Sequence, residues 1–255
     1  MSRSTQILLW GIGLTFVLPF VVLGLWSVAD TWRYPAVLPD LTGDHWQRLV
    51  SGQSLLLTGL LRSVGIAVSI ALVSTVLGFY ISRAIAYHQH QRTWLFFAYW
   101  PCVIAPGILA GLVYIFFLRW GWAGSWGGVW LGHLLLALPY AVIVFHPFWT
   151  PQIRQYEQLA ATLGASRIHI FSTVLFPMAK GMVLIGGFQT FLISWFEFGL
   201  TSLLGVGKVQ TLPVLVYQYI QEANPYLAAV AALILMLPPA VVLWVNKRFL
   251  FTKLV

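Results

Sequence analysis

The stretch that decides the reading is Arg154-Gln155-Tyr156-Glu157-Gln158-Leu159-Ala160-Ala161-Thr162-Leu163-Gly164. Tyr156, Leu159, Ala160 and Leu163 recur at i, i+3, i+4 and i+7, the spacing of one apolar stripe on a helix. Arg154, Glu157, Gln158 and Ala161 fall off that stripe, and Gly164 is a helix stop. Ile168, Phe171 and Leu175 then repeat at helical spacing, and Pro177 is expected to break the pattern. The segment 150–181 therefore predicts a short amphipathic hairpin held against a membrane face, since a solvated connector needs no apolar stripes.

On either side the chain turns strongly apolar. Of 255 residues, 60% are hydrophobic and 8% are charged, against about 25% charged in an ordinary soluble domain. That composition excludes a soluble domain. A bilayer core takes about 20 apolar residues per helical span, and six such runs are present: 7–28, 63–81, 94–118, 127–149, 182–204 and 227–246. The expected fold is all-α, a polytopic membrane protein in one domain covering 1–255. The 14 Lys and Arg fall between apolar runs and never line one face, which excludes a nucleic-acid binder. A lone Cys102 builds neither a disulfide framework nor a thiolate metal site.

Orientation follows from the loop charges. With the N-terminus inside, nine Lys and Arg lie on the cytoplasmic side and five outside. The acids sharpen the contrast, with Glu157 inside and Asp30, Asp40, Asp44 and Glu222 outside. Both termini are expected to be cytoplasmic. The 7–28 run is too long for a signal-peptide core and no small-residue cleavage site follows it, so it reads as a span. The outer segment 29–62 carries Trp32, Tyr34, Pro35, Pro39 and Trp46, which read as interface anchors.

The run Glu157 to Arg167, with Pro177 thirteen residues after Gly164, resembles the EAA loop of binding-protein-dependent ABC importer permeases of type I. Phe171 and Val174 fit the same pattern. The chain departs at the triplet that names the loop: where the family favours Glu-Ala-Ala, this sequence has Gln158-Leu159-Ala160, with Glu157 one residue earlier. Further likenesses are Pro101-Cys102-Val103-Ile104-Ala105-Pro106-Gly107, similar to a proline-broken third core helix, Ala137-Leu138-Pro139-Tyr140, and Thr211 to Tyr217. The branch it looks like serves polyamines, ferric iron, thiamine, sulfate and related ions.

The resemblance implies a bacterial inner-membrane permease that forms half of a solute pathway and is not itself an enzyme. It implies as partners two cytoplasmic ATPase subunits that carry ATP and magnesium, a second six-span chain and an extracytoplasmic solute-binding protein. It places the ATPase contact on Tyr156, Glu157, Gln158, Leu159, Ala160, Ala161, Leu163, Gly164, Ala165, Arg167 and Pro177. Glu197 within the fifth run, and His133 and Pro139 within the fourth, are candidates for the translocation path, because ionisable groups in lipid are expensive. The alternative for Glu197 is a carboxylate bonded to backbone or to Lys208, and for His133 a histidine satisfied between helices. Gly107 and Gly111 have the spacing of a close helix contact. Gly205 to Val209 fails the phosphate-loop pattern, so no ATP site is expected on this chain. An ion-coupled carrier would want more intramembrane acids. An intramembrane serine protease would want a nucleophile on one span and a histidine on another, whereas Ser125 lies in the same loop-helix unit as His133.

Overall fold

The computed structural model describes residues 3–32, 36, 38–50 and 54–250, and for 3, 4, 7 and 242–250 the backbone only. Tyr34 and Pro35 of the expected outer aromatic group lie outside the described residues. Among those residues the regular elements are helices: α1 Arg3–Ser27, α2 Asp44–Val50, α3 Leu55–Ala86, α4 Gln91–Val103, α5 Pro106–Arg119, α6 Trp126–Phe145, α7 Pro151–Thr162, α8 Arg167–Ile170, α9 Phe176–Trp195, α10 Gly199–Gly205, α11 Leu212–Gln221 and α12 Pro225–Leu250.

The chain divides into two compact units. One comprises residues 1–62 and 211–255. In it α12 packs on α1 and α11. Leu8, Trp10, Leu14 and Phe16 of α1 are exposed, as lipid-facing side chains are. His45 of α2 is buried, donates from Nε2 to the Ala29 carbonyl (3.0 Å) and stacks on Tyr226.

The other unit, residues 63–210, holds two clusters. Ile66 and Ile70 of α3, Ala110 and Phe117 of α5, Leu136 of α6 and Leu200 and Leu204 of α10 form the first. Phe79, Phe145, Trp149, Ile153, Ile170 and Leu175 form the second, toward the segment that carries α7.

Among the described residues four helical stretches are long and apolar enough to cross a bilayer, Leu8–Ser27, Leu55–Ala86, Trp126–Phe148 and Arg167–Trp195, and the expected sixth span shows as a shorter apolar helix, Pro225–Val241. A fifth forms if α4 and α5, bent 99° to each other, count as one span. The expected third span is thus broken. Pro101 stays inside α4, whereas Pro106 opens α5. The break falls at Ile104–Ala105 because the residue before a proline is forced into extended backbone, and Ala105 has ψ 138°. The second span begins at Leu55, since no proline separates the leading leucines from the rest.

Two corrections concern the fifth span. Its helical stretch runs without a stop from Arg167 to Trp195, so Pro177 does not end a helix. A π-turn at Phe171–Leu175, in which the Phe176 amide reaches back to the Phe171 carbonyl, widens the backbone just ahead of Pro177. The wider turn takes up the ring that would otherwise strike the Thr173 carbonyl. The interruption comes later, at Phe196–Phe198, between α9 and α10. Gly107 and Gly111 also differ from expectation: a β-carbon on either would meet open space, and the close approach at Gly107 is made to its backbone by Gly199, while β-carbons on Gly78 and Gly186 would strike neighbouring helices.

Candidate functional site

Segment 150–175 is locally well specified. Thr150 caps α7 by accepting from the Ile153 amide, and Pro151 follows at the first turn, where a missing N–H costs nothing. At the other end the Ala165 amide bonds the Ala160 carbonyl (3.1 Å) and the Gly164 amide bonds Ala161 (3.0 Å). With Gly164 at φ +83°, this is the two-bond glycine stop. Ser166 then caps α8 by accepting from the His169 amide. The stop and the new cap, two residues apart, fix the corner between α7 and α8.

Three of the four residues of the apolar stripe read from the sequence, Tyr156, Leu159 and Leu163, face away from the chain, while Ala160 turns inward. Ile153 is buried and Glu157 and Ala160 half-buried, at i, i+4 and i+7. Tyr156 and Leu159 are at least half exposed, Leu163 is 80% exposed and Ile168 is 82%. The reason is anchoring. Ile153 packs with Phe145 and Trp149, and Glu157 pairs with Arg83 of α3, so the helix turns its other apolar side outward. Gln158, Ala161 and Arg167 are exposed with it, while Ala165 is half-buried.

Around Glu157 several side chains converge that sequence reasoning did not bring together. The Arg83 guanidinium lies 5.4 Å from the Tyr87 ring centre and 5.9 Å from that of Trp149. The Arg154 guanidinium lies 5.1 Å from the same Tyr87 ring centre. Trp149 Nε1 donates to Ser82 Oγ at 2.8 Å. Burial, and then the Glu157 carboxylate, push the Tyr87 phenol above its ordinary range. Arg83, Trp149, Glu157, Arg167 and Phe171 share the wall of a cavity of about 650 Å³.

The second feature is the meeting of the two broken spans. Tyr140 Oη donates to the Cys102 carbonyl (3.4 Å), one of the carbonyls left free as α4 ends. Two of the sequence likenesses, Pro101–Gly107 and Ala137–Tyr140, are therefore in contact. Pro139, just before, is half-buried. Glu197 is 6% exposed, and its Oε1 accepts from the Leu200 amide at 2.8 Å, holding the start of α10. His133 is 1% exposed and bridges the break, with Nδ1 2.7 Å from Ser194 Oγ on α9 and Nε2 2.8 Å from Thr201 Oγ1 on α10. A ring that donates from Nε2 to Thr201 and accepts at Nδ1 from Ser194 leaves Thr201 free to donate to the Glu197 carbonyl (3.4 Å). Glu197 and His133 are thus satisfied within the chain. Among the described residues no cluster of His, Cys, Asp or Glu could hold a metal.

No family profile matches the chain. Among curated proteins it is 26% identical over 141 residues to the putrescine transport system permease protein PotI of Escherichia coli, covering 52% of this chain and 50% of that protein. It is 28% identical over 195 residues to the sulfate transport system permease protein CysW of Synechocystis, covering 70% of each. It is 28% identical over 169 residues to the molybdenum transport system permease protein ModB of Haemophilus influenzae, covering 58% of this chain and 74% of that one. The chain spans about half the length of the putrescine permease it matches. Its fold matches that of a solved bacterial ABC transporter involved in import of the acidic polysaccharide alginate, with TM-score 0.70, 16% identity and 98% of each chain covered. In fold, and over part of its sequence, the chain is similar to integral-membrane permeases of ABC importers.

Proposed function

We propose that this chain forms half of the solute pathway of an ATP-driven importer and takes its motion from a cytoplasmic ATPase through residues 154–177. The observation that carries the reading is the ridge of Tyr156, Leu159, Leu163 and Ile168. These apolar side chains stand out from a capped, cornered helix in the segment that resembles the coupling loop. An exposed apolar ridge on a rigid support is the surface a helix-in-groove partner requires.

In this reading the chain lies as one domain in a bacterial inner membrane with six spans and both termini cytoplasmic. Two ATPase subunits bind ATP and magnesium and meet Tyr156, Gln158, Leu159, Ala161, Leu163, Gly164 and Arg167. Ala160, Ala165 and Pro177 set the backbone beneath them. A second, homologous six-span chain completes the pathway, and an extracytoplasmic binding protein delivers the solute. The pathway passes the two breaks, where Glu197, His133 and Pro139 hold backbone in place. The relatives named for putrescine, sulfate and molybdenum transport favour a small charged solute.

The test is vanadate-sensitive ATP hydrolysis by the chain purified with its ATPase, comparing the wild type with Gly164→Asp. Hydrolysis stimulated by the wild type and lost in the membrane-assembled variant supports the reading. No co-purifying ATPase, with solute uptake continuing in the absence of ATP, overturns it.

A further inference from the structure

We infer that Arg83 and Glu157 form an internal latch that makes α7 move with α3, so that Glu157 positions the coupling helix instead of meeting the ATPase. The inference rests on the coupling reading above and adds the element to which the coupling helix is tied.

Three observations carry it. First, Glu157 points the wrong way for an external contact. At 100° per residue, its direction and those of Ile153 and Ala160 lie about a quarter turn from the ridge of Tyr156, Leu159 and Leu163. Its carboxylate is half-buried and bonded to Arg83 Nη2.

Second, acids are scarce. Residues 63–210 contain only Glu157 and Glu197, and Glu197 is committed to the start of α10. Arg83 has a single acid within its unit to pair with, and 74 residues of chain separate the two.

Third, the pair is one of several ties between residues 82–87, at the end of α3, and residues 149–157, which lead into α7. Ser82, Arg83 and Tyr87 meet Trp149, Arg154 and Glu157 through a hydrogen bond, an ion pair and two cations stacked on rings. A half-exposed ion pair contributes little to overall stability. Its effect here is geometric: it sets the rotation of α7 about its axis, and with it the direction of the ridge. α3 extends from Leu55 to Ala86 and supplies Ile66 and Ile70 to the cluster containing α5 and α10. A push on α7 therefore reaches the broken spans along one rigid rod.

The experiment uses Arg83→Gln, Glu157→Gln and the exchanged pair Arg83→Glu with Glu157→Arg. In the complex with its ATPase, both single variants should retain the ATPase in wild-type ratio. They should lose solute moved per ATP hydrolysed by roughly fivefold or more, the scale of a coupled charge pair, and the exchange should restore most of it. Loss of the ATPase from Glu157→Gln alone, or no recovery in the exchanged pair, overturns the inference.

A second measurement does not depend on any ATPase. In the purified permease, amide hydrogen exchange across Pro151–Thr162 should quicken in both single variants and return in the exchanged pair. Unchanged exchange in the single variants overturns the latch, even if the coupling reading stands. A wild-type chain that retains no ATPase while the exchange pattern holds would instead overturn the coupling reading and leave the latch supported.

Discussion

Gly199 meets Gly107 backbone to backbone: a β-carbon at 199 would stand 3.1 Å from the Gly107 nitrogen and 3.3 Å from its Cα. The start of α10 and the start of α5 are thereby pressed together, and each lies at a break in an apolar span. The two nearest atoms are backbone, which cannot swing aside, and only the third, Glu197 Oε1 at 3.5 Å, belongs to a side chain.

A branched side chain at 199 must therefore move backbone. Gly199→Val is expected to cost about 1–3 kcal/mol, the range for overpacked sites. Gly107→Ala should cost far less, since its β-carbon faces open space. Thermal unfolding of the detergent-solubilised protein checks this, and equal midpoints for the two variants would refute the close contact.

His133 holds the second break by filling both of its ring nitrogens. Ser194→Ala leaves one of them without its partner in a buried site, with an expected loss of about 1–3 kcal/mol. His133→Phe takes the ring away from both hydroxyls, leaving Thr201 only its bond to the Glu197 carbonyl, and should lose more. If His133 supports the pathway without touching solute, uptake per folded molecule at low temperature stays near wild type. A Michaelis constant that shifts with little change in stability would instead put the ring in the path.

Gly164 occupies a left-handed turn that side chains with a β-carbon resist. Gly164→Ala should destabilise the corner by about 1–2 kcal/mol and Gly164→Asn by less, because asparagine tolerates that backbone. Retention of the ATPase should rank glycine, asparagine, alanine. Equal retention by all three would show that the corner does not set the docking surface.

The ridge offers the opposite kind of test. Leu163 and Ile168 are 80% and 82% exposed, so Leu163→Asp and Ile168→Asp should leave the unfolding midpoint within about 0.5 kcal/mol of wild type, as exposed substitutions do. Both should abolish co-purification of the ATPase. A variant that unfolds early would show instead that the ridge is covered by the chain itself.

What the sequence could reveal depended on how local each cause was. The helix at 154–164 and its glycine stop are written in neighbouring residues. So was a break in the third span, although which of Pro101 and Pro106 makes it depends on packing, including the Tyr140 bond to Cys102. The break at Phe196–Phe198 has no proline, and it exists because Glu197 turns back to hold α10. Pro177 promised a break that a π-turn absorbs. Periodicity located the stripe on α7 but could not say that it faces outward. That direction comes from Arg83, far away in the chain, and from Ile153, one residue before the quoted stretch.

The 99° bend between α4 and α5 has a consequence for how the chain is made. The halves have 13 and 14 residues, about 20 Å each, and neither crosses a 30 Å hydrocarbon layer alone. Lipid cannot shelter the exposed backbone at the bend, and the backbone that covers it, Gly199 on α10, leaves the ribosome much later. Insertion of this bent pair is therefore provisional until α10 has been made, and a nascent protein halted earlier carries an unsealed joint that quality-control proteases can grip. In pulse–chase labelling, a chain truncated after Trp195 should be cleared faster than one ending at Gln210, and equal lifetimes would show that the joint seals itself.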